Sequence, residues 1–197
     1  FTLVATNVPF LKRGYQESKL SEWIENHYEN GKANIATAML MRANEMTMPG
    51  GSVALVIQQS WLYQSTQRRL REQMLASCHW NLLARLGPGA FDTISGEVVN
   101  VALVTLTRLR KCNPTVFGVD AYADKGSGAK ATRLLDAPLV SLDQAAQSAN
   151  PQSTVMFPGG VDGSKLVGEF CDLGKGSVTG DSPHFIRQFW EQPLTSD

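Results

Sequence analysis

The chain has 197 residues, enough for one domain or for one domain and part of another, and 43% of them are hydrophobic, which is ample for a core and argues against disorder. Lys and Arg total 18 and so do Asp and Glu, so net charge gives no support to a general polyanion binder, although local basic patches stay open. No apolar run approaches the ~20 residues needed to span a bilayer, and no segment resembles a signal peptide.

Residues 1–6 form a short apolar run, expected to be a buried strand. Leu20, Trp23, Ile24 and His27 then fall at helical spacing, as do Ile35, Met39, Ala43 and Met46, giving two helices broken near Asn30-Gly31. Pro49-Gly50-Gly51 is a stop signal before residues 52–58, which are β-rich and apolar on both faces, as in a central strand. Ser65 or Thr66 is expected to cap a helix with Leu70, Met74 and Leu75 inward and Arg68, Arg69 and Arg71 outward. A third strand follows around 81–86 and a fourth over 98–107. The intervening residues from Gly87 to Glu97 hold three glycines and no period, too little for a helical crossover, so the last two strands are expected to pair antiparallel as a hairpin at the sheet edge. The fold class is thus α/β, a mostly parallel sheet with a terminal antiparallel hairpin.

Beyond residue 110 the texture changes, with ten of the 17 glycines at or after Gly118, and an irregular extension is expected. Ser141-Leu142-Asp143-Gln144 reads as a capping box for a short helix through Ala149. Ser182-Pro183 reads as the start of another, carrying Phe185, Ile186, Phe189 and Trp190. Cys78, Cys112 and Cys171 are odd in number and widely spaced, and His27, His79 and His184 do not cluster with them. That pattern favours reduced thiols in a cytoplasmic protein and offers no metal site.

The chemistry concentrates in Asn7-Val8-Pro9-Phe10, directly after the first strand, where ligands bind in open α/β sheets. The Asn carbonyl can accept one hydrogen bond from an exocyclic NH2 and the Val8 backbone carbonyl the other. Pro9 pushes Val8 into extended geometry, and Phe10 offers a π-face on which a base can stack. Accepting both N–H bonds favours a tetrahedral nitrogen with its lone pair exposed, so positioning supplies much of the catalysis. On its own the tetrapeptide is equally well an ordinary Asn-x-Pro turn.

Thr6-Asn7-Val8-Pro9-Phe10 resembles the Asn/Asp/Ser-Pro-Pro-Tyr/Phe/Trp motif of amino-group methyltransferases, especially DNA adenine-N6 methyltransferases. Further segments are similar, in order, to the large adenine-specific enzymes of type IIG restriction-modification and BREX phage-exclusion systems. They are Asn7 through Gly14, Lys32-Ala33-Asn34-Ile35-Ala36, Pro49-Gly50-Gly51, Gln59-Ser60-Trp61-Leu62, Leu86 through Phe91, and Ser95-Gly96-Glu97-Val98-Val99-Asn100. Gly176-Ser177-Val178-Thr179-Gly180-Asp181 with Phe185 resembles their junction to a target-recognition region. Val8 replaces the usual first proline, which keeps the carbonyl and loosens the turn, and Phe10 keeps the stacking face without a hydroxyl.

The resemblance implies a partial class I (Rossmann-like) methyltransferase sheet at residues 1–109, an extension at 110–178 and a connector at 179–197. It implies methyl transfer from S-adenosylmethionine to a flipped adenine in double-stranded DNA, with Asn7, Val8, Pro9 and Phe10 as the catalytic loop. Phe91, Gln59 and Ser60 would contact the substrate, although Phe91 also reads as hairpin core and the neighbouring Trp61 as packing. The family binds its methyl donor through a glycine-rich turn and an acidic residue upstream of the catalytic loop, so the isolated chain is expected to lack that half and to be inactive. Its partners would be that upstream half and the downstream target-recognition region. Lys125-Gly126-Ser127-Gly128-Ala129-Lys130 and Pro158-Gly159-Gly160-Val161-Asp162-Gly163 read either as a nucleotide site or, better, as flexible turns. Two competing readings stand: a non-catalytic interaction module that self-associates through an exposed first strand, and an amine methyltransferase acting on RNA or protein.

Overall fold

The computed structural model describes residues 1–91, 99–109 and 115–157. Strands β1 (Leu3–Asn7), β2 (Ser52–Gln58), β3 (His79–Gly87), β4 (Val101–Thr107), β5 (Thr115–Asp120) and β6 (Val140–Asp143) make one sheet in the order β1-β2-β4-β3-β5-β6. The pairs β1/β2 and β3/β5 are parallel, while β4 runs antiparallel to both β2 and β3, and β6 antiparallel to β5. Four of the six strands therefore point the same way, and the carboxyl ends of β1, β2, β3 and β5 share one edge.

Helices α1 (Ser18–His27), α2 (Ile35–Met46), α3 (Arg68–Ser77), α4 (Ser127–Asp136) and α5 (Gln144–Ala149) surround the sheet. Alternation along β2 decides how they do so. Val53, Leu55 and Ile57 are buried with Leu40 of α2 and Leu70 and Met74 of α3 in the main core. Val56, of opposite parity, packs with Leu103 and with Leu86, Val101, Ala121 and Leu134 of α4 in a second, smaller cluster. Apolar side chains thus cover both faces, as a central strand without polar alternation requires.

Several expectations change. β1 is largely exposed rather than buried, because it is an outer strand of the described sheet and is paired there with β2 alone. The hairpin of β3 and β4 forms, but not at an edge: β4 slots between β2 and β3, so that its buried Ala102, Val104 and Leu106 face the main core. β3 begins at His79 rather than 81, drawn back by Trp80, which is buried and stacked on Trp61 at 5.3 Å. Neither Ser65 nor Thr66 caps α3. They lie in a 3-10 turn, and Gln67 occupies the cap position without a side-chain bond.

Arg71, expected outward, is fully buried and donates to the carbonyls of Trp61, Gln64, Gln152 and Ser153 at 2.7–3.1 Å. A guanidinium with five donors is tolerated in a core when carbonyls satisfy it, and this one fastens residues 152–153 to the turn after β2. The segment after residue 110 is regular where described, since β5 and β6 extend the sheet. Gly118 allows this close packing, because a Cβ there would sit 2.8 Å from the Phe157 ring. The short helix to Ala149 forms, but Asp143 caps it, accepting from the Ala145 and Ala146 amides, while Ser141 stays in β6. Lys125 through Lys130 does follow a strand and opens α4, contrary to expectation. The helix expected after Pro183, the 158–163 segment, Cys112 and Cys171 lie outside the described residues. Cys78 is a buried free thiol, its pKa raised by that burial.

Candidate active site

Asn7 ends β1 at the shared carboxyl edge, opposite Val56 of β2. The chain then anchors itself through Val8, whose amide donates to the Val56 carbonyl at 3.3 Å and whose side chain is 3% exposed in the main core. Pro9 is exposed and has no N–H to place. The neighbouring acceptors are left without donors: among the described residues nothing donates to the Val8 carbonyl, and the exposed Asn7 side chain makes no hydrogen bond. Phe10 is half-buried and touches both apolar clusters, so its ring stands where the two faces of the sheet meet.

The loop is fixed from behind by Asn34, a residue the sequence reading placed in a similar segment but gave no role. Its side chain is 6% exposed. Oδ1 accepts from the Ala36 amide at 3.0 Å, capping α2, and from the Leu11 amide at 3.2 Å, while Nδ2 donates to Gln58 Oε1 at 2.7 Å. One amide thus joins the residue after Phe10, the start of α2 and the last residue of β2. The Ile35 amide donates to the Leu11 carbonyl and the Arg13 amide to the Ala33 carbonyl, completing the seam. The available signal was an Asn directly before an apolar period of 3.6, an N-cap pattern.

Outside this seam Glu25 accepts from Arg13 and from Lys32, each at 2.6 Å. The Arg13 hydrogen bond, then that of Lys32, lowers the Glu25 carboxyl to about 2. Neither basic side chain is thereby left to face the loop as an unpaired charge.

The other predicted site residues lie at the same edge in different settings. Gln59 is 6% exposed, its amide donating to the Asn100 carbonyl at 2.8 Å, and its Oε1 is buried without a partner among the described residues. Ser60 is half-buried and its carbonyl accepts from Tyr63 and Gln64, closing a 3-10 turn. Trp61 is core. A cavity of about 210 Å³ opens beside them, lined by Gln59, Leu62, Tyr63, Arg85, Met156 and Phe157. Phe91 is 36% exposed, at the end of the loop leaving β3. Its neighbour Ala90 packs in the cluster that holds Phe10, so the Asn7–Phe10 and Gly87–Phe91 loops converge there. Of the arginines singled out, Arg68 and Arg69 are exposed, Arg68 paired with Glu72, and Arg71 is structural. Among the described residues no group of His, Cys, Asp or Glu could hold a metal ion, and no helix is long and apolar enough to cross a membrane.

The chain is similar to known proteins. The model of the family described as N-6 DNA Methylase matches residues 1–155. The adenine-specific methyltransferase PglX of Lacticaseibacillus casei (strain Zhang) is 30% identical over 101 residues, and the adenine-specific methyltransferase BrxX of Escherichia coli O9:H4 (strain HS) is 28% identical over 99. In each case half of this chain is covered, and the chain spans 8% of the relative's length. A nuclease-deletion mutant of the type ISP restriction-modification enzyme LlaGI, solved with a DNA substrate mimic, superposes with a TM-score of 0.55 at 16% identity, covering 78% of this chain and 18% of that one. The type I restriction-modification methyltransferase subunit of Streptococcus thermophilus gives 0.55 at 15%, covering 78% and 36%. These structures share the fold of the chain. With the family match running from β1 through the last described strand and beyond α5, the chain belongs to the N-6 DNA methylase family.

Proposed function

We infer that the complete protein transfers a methyl group from S-adenosylmethionine to adenine N6 in double-stranded DNA, in restriction-modification or phage defence, and that this chain supplies the acceptor side of the site. The observation that carries this is the pair of adjacent acceptors, Asn7 and the Val8 carbonyl, left without donors among the described residues on a loop that is anchored at Val8 and Leu11. An exocyclic amine has two N–H bonds to give. Accepting both draws the nitrogen lone pair out of conjugation with the ring, and Phe10 stacks on the base once it has left the duplex. No base strong enough to deprotonate a neutral amine is required, since the work is orientation and electrostatic stabilisation. Gln59, Ser60 and Phe91 surround the base. The two curated relatives support the choice of adenine by their names.

The described residues do not fit the methyl donor. Asp120, the last residue of β5, and Asp124 after it are already paired with Arg85 and Arg133, and of the two lysines flanking the glycines that open α4, Lys130 is turned inward and Lys125 is exposed. The donor's contacts are assigned to a part of the protein outside these elements. β1, exposed and with pairing described on one side only, is the edge that part would cover, and in its absence the same edge would drive self-association. A downstream target-recognition region and a cytoplasmic location complete the proposal.

The test is chemical. The complete protein is incubated with unmodified DNA and S-adenosylmethionine, the DNA is digested to nucleosides, and these are resolved by mass. N6-methyldeoxyadenosine is the expected product. Methylation of cytosine, or of RNA or protein in its place, would refute the reading.

A further inference from the structure

Lys130 is the only buried residue of α4, at 2% exposure. Its ammonium donates to the Leu86 carbonyl at 2.5 Å and to the Ala121 carbonyl at 2.9 Å. Both carbonyls belong to residues buried in the second apolar cluster, at the point where the β3/β5 ladder ends with Arg85 opposite Asp120. Buried carbonyls at a ladder's end need a donor, and water does not reach these, so the lysine supplies what the sheet cannot. The Lys130 charge is thus spent on neutral acceptors.

The residue after Leu86 is held from the other side. Gly87 has φ +66, and a Cβ there would lie 2.5 Å from Cδ2 of Tyr122. That ring is itself fixed: the Tyr122 amide donates to Asp120 Oδ1 at 3.0 Å, Asp120 pairs with Arg85, and the Arg85 guanidinium lies 5.0 Å from the Tyr122 ring centre. The chain leaving β3 therefore has its direction set by Lys130 and Tyr122, both from the segment beyond β5. Four residues later it reaches Phe91, passing Ala90, which shares a cluster with Phe10.

We propose that Lys130 is a positioning residue for the methyl-acceptor base: by clamping the ends of β3 and β5 it holds the Gly87–Phe91 loop against Phe10, so that the pocket for the flipped base is formed before substrate arrives. This rests on the function proposed above. It is tested in the complete protein with Lys130→Met and Lys130→Arg, using hydrogen exchange and steady-state methyl transfer together. In Lys130→Met the amides of Gly87, Gly89, Ala90 and Phe91 exchange about tenfold faster or more, as expected for losing hydrogen bonds to a charged donor, while those of β2 do not change. The kcat for DNA methylation falls by a similar factor with the KM for S-adenosylmethionine unaltered, and Lys130→Arg recovers most of both.

Unchanged exchange at the loop, or an equal rise throughout β2 indicating general loosening, overturns the proposal. So does a kcat that stays at the wild-type level. If the wild-type protein methylates no DNA adenine, the functional reading fails and the positioning role with it, whereas the exchange result by itself decides whether Lys130 holds the loop.

Discussion

The Asn7–Phe10 loop is held by a neutral amide, Asn34, 23 residues along the chain from Leu11, whereas the Gly87–Phe91 loop is held by a cation, Lys130, 44 residues beyond Leu86. An amide both donates and accepts, and Asn34 needs both abilities because it ties an N–H of the loop to a side-chain carbonyl of β2. At Leu86 and Ala121 only carbonyls are left over, so a side chain that is all donor suits the site. The contrast separates two kinds of support. The first loop is braced from within the β1-α2-β2 unit that carries it. The second is braced by α4 and Tyr122, from a segment whose glycines suggested a loose extension. The second brace can therefore be damaged without touching the first.

Arg71→Leu should have the largest effect on stability, because four carbonyls lose their donor in the core at once. We expect a loss of about 3 kcal/mol or more in urea unfolding, with residues 152–157 detached first. Asn34→Ala removes a helix cap and strands both the Leu11 amide and Gln58 Oε1. About 2–3 kcal/mol should be lost, together with methyl-transfer activity. If activity survives that change, the seam does not brace the Asn7–Phe10 loop for methyl transfer. Gly87→Ala probes the other side, since it forces a left-handed alanine against Tyr122. A cost of about 1–3 kcal/mol is expected, with faster exchange around Gly89 and none around Leu11. Equal disturbance of both loops would erase the contrast drawn here.

The smallest effect concerns acid. Folding lowers the Glu25 pKa from 4.5 to about 2, so its pairing with Arg13 and Lys32 contributes stability above about pH 4.5 and loses it as pH falls through about 2. The groups are exposed, so the contribution is modest. Thermal midpoints of wild type and Glu25→Gln should differ slightly near neutrality and converge towards pH 2.

Much of the βαβ frame was legible in the sequence, because its signals are local. Residues 52–58 have no polar alternation, Pro49-Gly50-Gly51 punctuates the chain, and the two helices before them repeat at 3.6 residues. The Asn7–Phe10 loop drew notice in the sequence through the physical meaning of an Asn followed by a proline-restricted carbonyl, and the structure places it at the carboxyl end of β1. What escaped was whatever depends on partners far along the chain. Arg71 sits among other arginines on a plausible solvent face, and two of the four carbonyls that turn it inward lie more than 80 residues away. β4 reads as the second strand of a hairpin, and nothing local tells that β2 will flank it. Gly118, Gly126 and Gly128 lower local propensity, yet β5 and α4 form because Phe157 packs over one and Lys130 anchors the other.

The central claim is that Asn7, with the Val8 carbonyl, holds the acceptor amine. The most direct measurement is the single-turnover rate of methyl transfer to DNA by the complete protein carrying Asn7→Ala, beside its thermal midpoint. The exposed Asn7 side chain makes no hydrogen bond among the described residues, so the midpoint should stay at the wild-type value. The rate should fall by about 10²–10³-fold, the scale of losing one preorganised polar contact in a transition state. A variant that folds like the wild type and keeps its rate would contradict the account.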